Sequence, residues 1–398
     1  DAERSKEEYA EGIRADLMWL GLMPDAEEKQ SDRFALYEAR FTELRDAGRV
    51  YPCYETAQEL DLKRKVQLGR GLPPVYDRAA LTLTADQIAA YEAEGRSPHW
   101  RFKLDHDAPI EWTDMVRGAQ HFDPKLLSDP VIRRADGSWL YMLPSVIDDV
   151  DMAITHVVRG EDHVSNTATQ LQMFTALGAE PPQFAHEALL VGSEGKLSKR
   201  LGSLGISTFR EQGLEAISLI ALLARIGTSD PVIPVTDAAP LVEAFDFAHF
   251  GRAPARFDEA ELALLNQKIV HMLEFDAVKD RLPAGVTPEA WDALRPNLEI
   301  VADITKWWQI VTGPLRLAEQ QPEQADYLST AAAALSDLPF DANIWRTLTE
   351  RLKAETGRKG KDLFLPLRRA LTGLDHGPDM GALLPLIGKD EAVKRLSA

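Results

Sequence analysis

The hydrophobic pattern changes character near Leu201, and that change constrains the fold more than any single motif. Ahead of it, short period-two stretches alternate with helical runs; behind it, apolar residues recur almost throughout at helical spacing. Strands interleaved with helices build α/β layers, whereas a succession of amphipathic helices buries its faces against one another. The pattern predicts an α/β front half followed by an all-α C-terminal region. With 398 residues, 45% of them hydrophobic, the chain is long enough for roughly two or three domains.

The front half opens on two amphipathic helices. Ser5 and Glu8 fit a capping box, and Tyr9, Ile13, Leu17 and Leu20 share a face before Gly21. From about Asp32, Phe34, Tyr37, Phe41 and Leu44 repeat that spacing up to Gly48. Val50 to Cys53 reads as a strand, and Leu60 to Arg78 as a charged surface helix running into Gly-Pro-rich chain. Trp100, Phe102 and Leu104 alternate with Arg101 and Lys103, as a half-buried strand does. Val131–Arg134 and Trp139–Leu143 predict a hairpin turning at Asp136-Gly137. After them, Ile154–Val158 ends in Arg159-Gly160-Glu161-Asp162-His163 ahead of a helical run from Thr167 to Leu177. Such a strand-to-helix transition is where open α/β sheets hold ligands. Phe184–Val191 is a further strand, and Gly192 to Gly195 form the turn after it.

That turn delivers Lys196-Leu197-Ser198-Lys199-Arg200. Two lysines flanking a serine can clamp a polyphosphate, each ammonium as a point charge and the hydroxyl as a donor. Taken alone, the same residues read first as a solvated basic turn. The formal net charge of −18 and pI near 5.0 exclude indiscriminate nucleic-acid binding, so such a partner must meet local basic patches. One cysteine, Cys53, excludes an intrachain disulfide framework and points to a reducing, cytoplasmic setting. No apolar run is long enough for a membrane span.

Taken together, Arg159-Gly160-Glu161-Asp162-His163, Ala188-Leu189-Leu190 and Lys196 to Arg200 resemble the class I aminoacyl-tRNA synthetases, specifically the bacterial glutamyl-tRNA synthetases. The lysine pentapeptide is similar to their KMSKS loop. Tyr51-Pro52-Cys53-Tyr54 looks like the start of their acceptor-stem-binding insertion. Lys361–Arg369, Ala370-Leu371-Thr372-Gly373 and Gly377-Pro378 look like their anticodon-binding domain. The resemblance implies a partial Rossmann-type nucleotide-binding domain over 1–50 and 141–200, with a strand-rich insertion over 51–140. A helical stem-contact domain over 201–275 and a helical anticodon-binding domain over 276–398 would follow.

Residue by residue, it implies Tyr141, Arg159 and Ser145 at the glutamate pocket, and Leu189, Leu190, Asp162 and Lys199 at ATP. The side chains of Leu189 and Leu190 read as core. Lys196, Ser198 and Lys199 would be catalytic, with Lys199 the first choice for neutralising charge on the phosphates. An ion pair with Asp148 is the alternative for Arg159. ATP, Mg²⁺, L-glutamate and tRNA(Glu) are the implied substrates and partners of a monomer. Arg358, Lys359, Lys361, Arg368 and Arg369, with Arg351 and Lys353, would contact tRNA, although each also suits a solvated helix face.

Three departures qualify the resemblance. The family's HIGH motif belongs upstream of Asp1, so the 398 residues alone are expected to activate glutamate weakly or not at all. Ser145, after Pro144, stands where some members have asparagine. Cys53 finds no second cysteine, so no zinc is expected, unlike some relatives. A non-catalytic tRNA-binding module is the competing expectation. A short relative that glutamylates a tRNA base lacks an anticodon-binding domain, and the helical residues after Phe257 argue against it.

Overall fold

Two parallel strands with a helix between them form the middle of the chain: His156–Gly160, the helix Val164–Ala176, and Gln183–Glu187. The register sets Arg159 beside His186 and Gly160 beside Glu187. This is the expected strand-to-helix transition, and it fixes where the polar residues after Arg159 emerge. The computed structural model describes residues 5–192, 195–196, 205–315 and 322–398.

Around this unit the front half carries small sheets. Val50–Cys53, His99–Phe102 and Val131–Arg133 form an antiparallel three-stranded sheet, and Ile110–Asp114 pairs with Gly118–Phe122 as a hairpin. Helices Ala57–Gly69 and Ala85–Ala93 both start from capping boxes, at Thr56 and Thr84. Leu190–Gly192, Gly195–Lys196 and Ala255–Arg256 make a second small three-stranded sheet. The Phe184–Val191 strand is therefore two strands, interrupted at Ala188-Leu189, where the chain leaves one sheet for the other.

Several expectations need correction. Asp136-Gly137 does turn the chain, and the arms pair through the Arg133–Trp139 bridge, the Arg134 amide on the Ser138 carbonyl and the Leu140 amide on the Ile132 carbonyl, but no further. The residues from Met142 to Asp151 are a helix burying Leu143, Val146 and Ile147, so the alternation of Trp139, Tyr141 and Leu143 spans a helix start. Arg101 is not on a solvent face: it is buried, donates Nη1 to the Asp129 carbonyl at 2.6 Å, and lies 4.0 Å over the Tyr76 ring. The first helix runs Glu7–Leu20, closed at Gly21 as expected, yet Ser5 does not cap it and Tyr9 and Ile13 are exposed. The second, Phe34–Asp46, buries Tyr37, Phe41 and Leu44 but leaves Phe34 outside.

Beyond residue 205 helices dominate. A single apolar cluster runs from Leu20 and Phe209 through Leu222, Ile269, Trp291, Leu335 and Leu367 to Leu396. A separate cluster joins Tyr37, Phe102, Leu143 and Phe174, so the helices of the front half pack on its sheet. Two further helices, Met380–Ile387 and Lys389–Ser397, close the chain beyond the helical runs expected from the sequence. Buried Arg395 on the final helix gives Nη1 to the carbonyls of Ile310 and Leu371, both at 2.8 Å, and Nη2 to that of Val311. It thereby satisfies orphan acceptors near the ends of the Ile304–Thr312 and Lys361–Thr372 helices. No described helix is long and apolar enough to cross a membrane.

Candidate active site

Arg159 ends a strand, half-buried, and its guanidinium is held from three sides. Nη2 donates to Thr167 Oγ1 at 2.5 Å and Gln170 Oε1 at 2.7 Å, both on the helix that follows. Nε donates to His186 Nε2 at 3.3 Å on the neighbouring strand, and Phe184 lies 5.5 Å beneath. All these partners are neutral. Among the described residues no carboxylate bonds Arg159, and Nη1 makes no hydrogen bond at all.

The alternative ion pair with Asp148 does not form. Asp148 is committed to Arg33 Nε at 2.8 Å, Tyr37 Oη at 2.9 Å and Gln30 Nε2 at 2.8 Å. Its neighbour Asp149 is half-buried and lies within electrostatic reach of Arg159. Burial, reinforced by Asp148 and opposed by Arg159, pushes its carboxyl up to about 6. Burial likewise draws the Arg159 guanidinium below its ordinary range, against the pull of Tyr141, Asp149 and Asp162.

Tyr141 stands at the mouth, exposed, its hydroxyl accepting from Asn166 Nδ2 at 2.6 Å and its ring edge-on to His163. Ser145 lies one turn into the Met142–Asp151 helix, its amide bonded to the Tyr141 carbonyl, so both sit where that helix begins. On the other side Gly160 forms a floor. A Cβ there would lie 2.7 Å from Asp162 Oδ1 and 3.1 Å from Leu189 Cδ2, so any larger residue would have to displace the ends of these two side chains. Leu189 and Leu190 are well exposed rather than core, and the Leu189 carbonyl already accepts from the Ala255 amide at 3.1 Å. The antiparallel pairing of Val191 with Lys196 carries the chain out of this floor. Beyond that backbone pairing, the Lys196 side chain lies outside the described residues, as do Ser198, Lys199 and Arg200.

Residues that the sequence did not flag complete the site. Asp114, at the end of a hairpin strand, is buried against His186, with Nδ1 to Oδ2 at 2.5 Å. His186 Nε2 in turn meets Thr167 Oγ1 at 2.8 Å. The parallel register could have placed His186 beside Arg159, but nothing local announces Asp114, 72 residues away. Arg117 from the same hairpin pairs with Glu161 at 2.7 Å, tying the hairpin to the turn after Arg159.

The C-terminal basic residues divide. Lys359 and Lys361 are exposed at the start of the Lys361–Thr372 helix. Arg358 lies over the Tyr327 ring at 4.1 Å and bonds Gln324, and Arg369 is bidentate with Asp375. Arg368 is turned inward onto the Pro378 carbonyl.

Ligand atoms of Cys53, Glu55 and His99 lie within 4.8 Å of one another in the front-half sheet. Lacking a second cysteine does not by itself exclude a metal here, because carboxylate and imidazole ligate zinc too. The arrangement nevertheless fits one poorly. The Tyr76 hydroxyl already donates to Glu55 Oε1 at 2.8 Å and approaches Cys53 Sγ, and burial pushes the thiol up to about 12. The Arg101 charge acts on both Cys53 and His99 and so opposes a second cation between them.

The comparisons with known proteins agree with this geometry. The family model "tRNA synthetases class I (E and Q), catalytic domain" matches residues 1–263, and "Anticodon binding domain" matches 267–398. Glutamate–tRNA ligase 1 of Rhizorhabdus wittichii is 67% identical over 398 residues, covering all of this chain and 90% of the relative. Glutamate–tRNA ligase 2 of Erythrobacter litoralis is 64% identical over 405 residues, covering 100% and 89%. The crystal structure of a glutamate tRNA ligase from Elizabethkingia meningosepticum, in complex with its amino acid, superposes with a TM-score of 0.82 at 25% identity. It covers 100% of this chain and 90% of that one. The fold, the arginine-bearing strand-to-helix turn and these matches converge: the chain belongs to the class I tRNA synthetases of the E and Q group.

Proposed function

We infer that this protein is a glutamate–tRNA ligase, which activates L-glutamate with ATP and transfers it to the 3′ end of tRNA(Glu). One observation carries the choice of pocket: Arg159 presents a half-buried guanidinium bonded only by neutral groups, with Nη1 unused among the described residues. A substrate carboxylate is the natural partner for such a charge, and Tyr141 adds a hydroxyl at the mouth. Ser145 would line the same helix start.

The chemistry needs positioning more than acid–base work. The α-carboxylate of glutamate attacks the α-phosphorus of ATP, pyrophosphate leaves, and a terminal ribose hydroxyl of tRNA then displaces AMP from the acyl carbon. Lys196, Ser198 and Lys199 would neutralise charge on the phosphates, while Asp162, Leu189 and Leu190 border the nucleotide. Mg²⁺ would accompany ATP, held by its phosphate oxygens. Lys359, Lys361 and Arg358 would meet tRNA phosphates, and Arg369 would do so only by leaving Asp375. Arg368 would act from within, shaping the surface. We read the Cys53 cluster as metal-free, with the division into domains, the monomeric state and the cytoplasmic setting as expected from the sequence.

The test is charging of tRNA(Glu) with labelled glutamate by the full-length protein. Arg159→Ala is expected to raise the glutamate KM at least about a hundredfold, as befits a charged hydrogen-bonding partner. Binding of tRNA without any glutamate-dependent charging would favour a non-catalytic module instead. Zinc content near zero, with charging unaffected by a zinc chelator, would support the metal-free reading.

A further inference from the structure

Arg159 does not hold its own orientation. Its Nε–H is directed at His186 Nε2, and an imidazole can accept there only if its proton sits on Nδ1. Asp114 fixes that proton. Its Oδ1 accepts the amides of Val116 at 3.1 Å, Arg117 at 2.9 Å and His186 at 3.1 Å, leaving Oδ2 to take Nδ1–H at 2.5 Å. Both side chains are fully excluded from solvent. The lone pair of Nε2 then faces Arg159 and the Thr167 hydroxyl, which itself receives Nη2.

We propose that Asp114 and His186 are positioning residues of the glutamate pocket: the carboxylate sets the imidazole tautomer, and the tautomer aims the Arg159 guanidinium at the substrate carboxylate. This rests on the reading of Arg159 as the glutamate receptor. A buried acid is not required to hold two strands together. What it adds here is polarity along a line, from three backbone amides through the ring to the guanidinium. The Ile110–Phe122 hairpin, within the expected insertion, thus reaches into the amino-acid pocket.

Asp114→Asn tests the tautomer directly. The three amides keep the oxygen end of the new amide, so its NH₂ faces His186 Nδ1 and forces the ring proton onto Nε2, against Arg159. Protonation of His186 does the same without a mutation. The titratable and charged groups facing the ring are Asp114, Arg159 and, at longer range, His163, and burial moves the titration of the His186 imidazole below its ordinary range.

The experiment is ATP–pyrophosphate exchange by the full-length protein with tRNA(Glu) present, from pH 8 downward. Asp114→Asn is expected to raise the glutamate KM by about tenfold or more, with the ATP KM within about twofold of wild type. His186→Gln, whose carbonyl can still accept from Arg159, is expected to weaken glutamate less and to remove the rise of its KM on acidification. A glutamate KM within about twofold of wild type in Asp114→Asn overturns the proposal. So does an equal loss for both substrates tracking a fall in Tm, which is what a merely structural role predicts. Should Asp114→Asn fail to fold, identical pH profiles for wild type and His186→Gln overturn it alone. A wild-type enzyme showing no glutamate-dependent exchange instead sinks the ligase reading.

Discussion

The front half and the helical half are held together by different means. In the helical half one apolar cluster, joined by Leu20 of the first helix, runs from Phe209 to Leu396, and its principal buried charge, Arg395, serves helix ends. In the front half the apolar clusters are smaller and polar groups are buried between elements: Asp114 with His186, Asp129 with Tyr51 and Arg78. Apolar residues such as Tyr9, Ile13, Val158 and Leu189 stay exposed there. Dispersed polar contacts tolerate less rearrangement than packed methyl groups, because each buried donor or acceptor is costly to leave unmade. Substitutions in the helical core should therefore register as stability, and those in the front-half network as substrate affinity.

The largest effect that could break this contrast is at Trp291, which is fully buried and donates Nε1 to the Leu273 carbonyl at 2.8 Å. Trp291→Ala should cost about 3–5 kcal/mol in denaturant unfolding, with the glutamate KM of the surviving folded enzyme unchanged. A shifted KM would show that the halves are coupled. Next is Arg395→Met, which strips three carbonyls of their donor and should cost roughly 3 kcal/mol by the same measurement. A cost near zero would mean that water replaces the guanidinium.

The paired change Lys359→Ala with Lys361→Ala probes the helical half from outside. It should weaken tRNA binding several-fold and flatten the dependence of log Kd on log salt by about 0.7 for each phosphate no longer neutralised, with Tm unchanged. An unaltered salt slope would remove these lysines from the interface. The smallest effect is Asp149→Asn. Its folded carboxyl titrates at about 6, above the usual aspartate, so the unfolded chain loses its proton first as pH rises. Stability then falls between about pH 4 and 6 and stays lower above, where the asparagine variant should melt about 2 °C higher. Lower melting at pH 7.5 would show that the charge is favourable, held by Arg159.

Much of the architecture was legible because its signals are local. Tyr37, Phe41 and Leu44 repeat at helical spacing, Gly21 and Gly48 take positive φ at the stops, and Val50–Cys53 is a strand as read. The misreadings have equally local causes. Leu143, Val146, Ile147 and Val150 carry a helical stripe, but Trp139 and Tyr141 precede it at alternate positions and mask its start. In the last two helices Pro385 lies inside an apolar run that packs well enough to accommodate it, and Gly388 divides that run from the final, more polar helix. At the candidate site, the strand-to-helix turn after Arg159 was readable locally, whereas it was the family resemblance that assigned a part to Arg159 itself. Its supports Thr167 and Gln170 lie on a helical face with no charge to mark them, and Asp114 arrives from a distant hairpin.

Gly160 has one more consequence. With Asp162 on one side and Leu189 on the other already at the limit of approach, the floor between them cannot be lowered, since no residue is smaller than glycine. It can only be raised, and one methyl group there would have to push aside the exposed ends of the Asp162 and Leu189 side chains. Any reshaping of this floor would therefore act through its two walls, the side chains of Asp162 and Leu189.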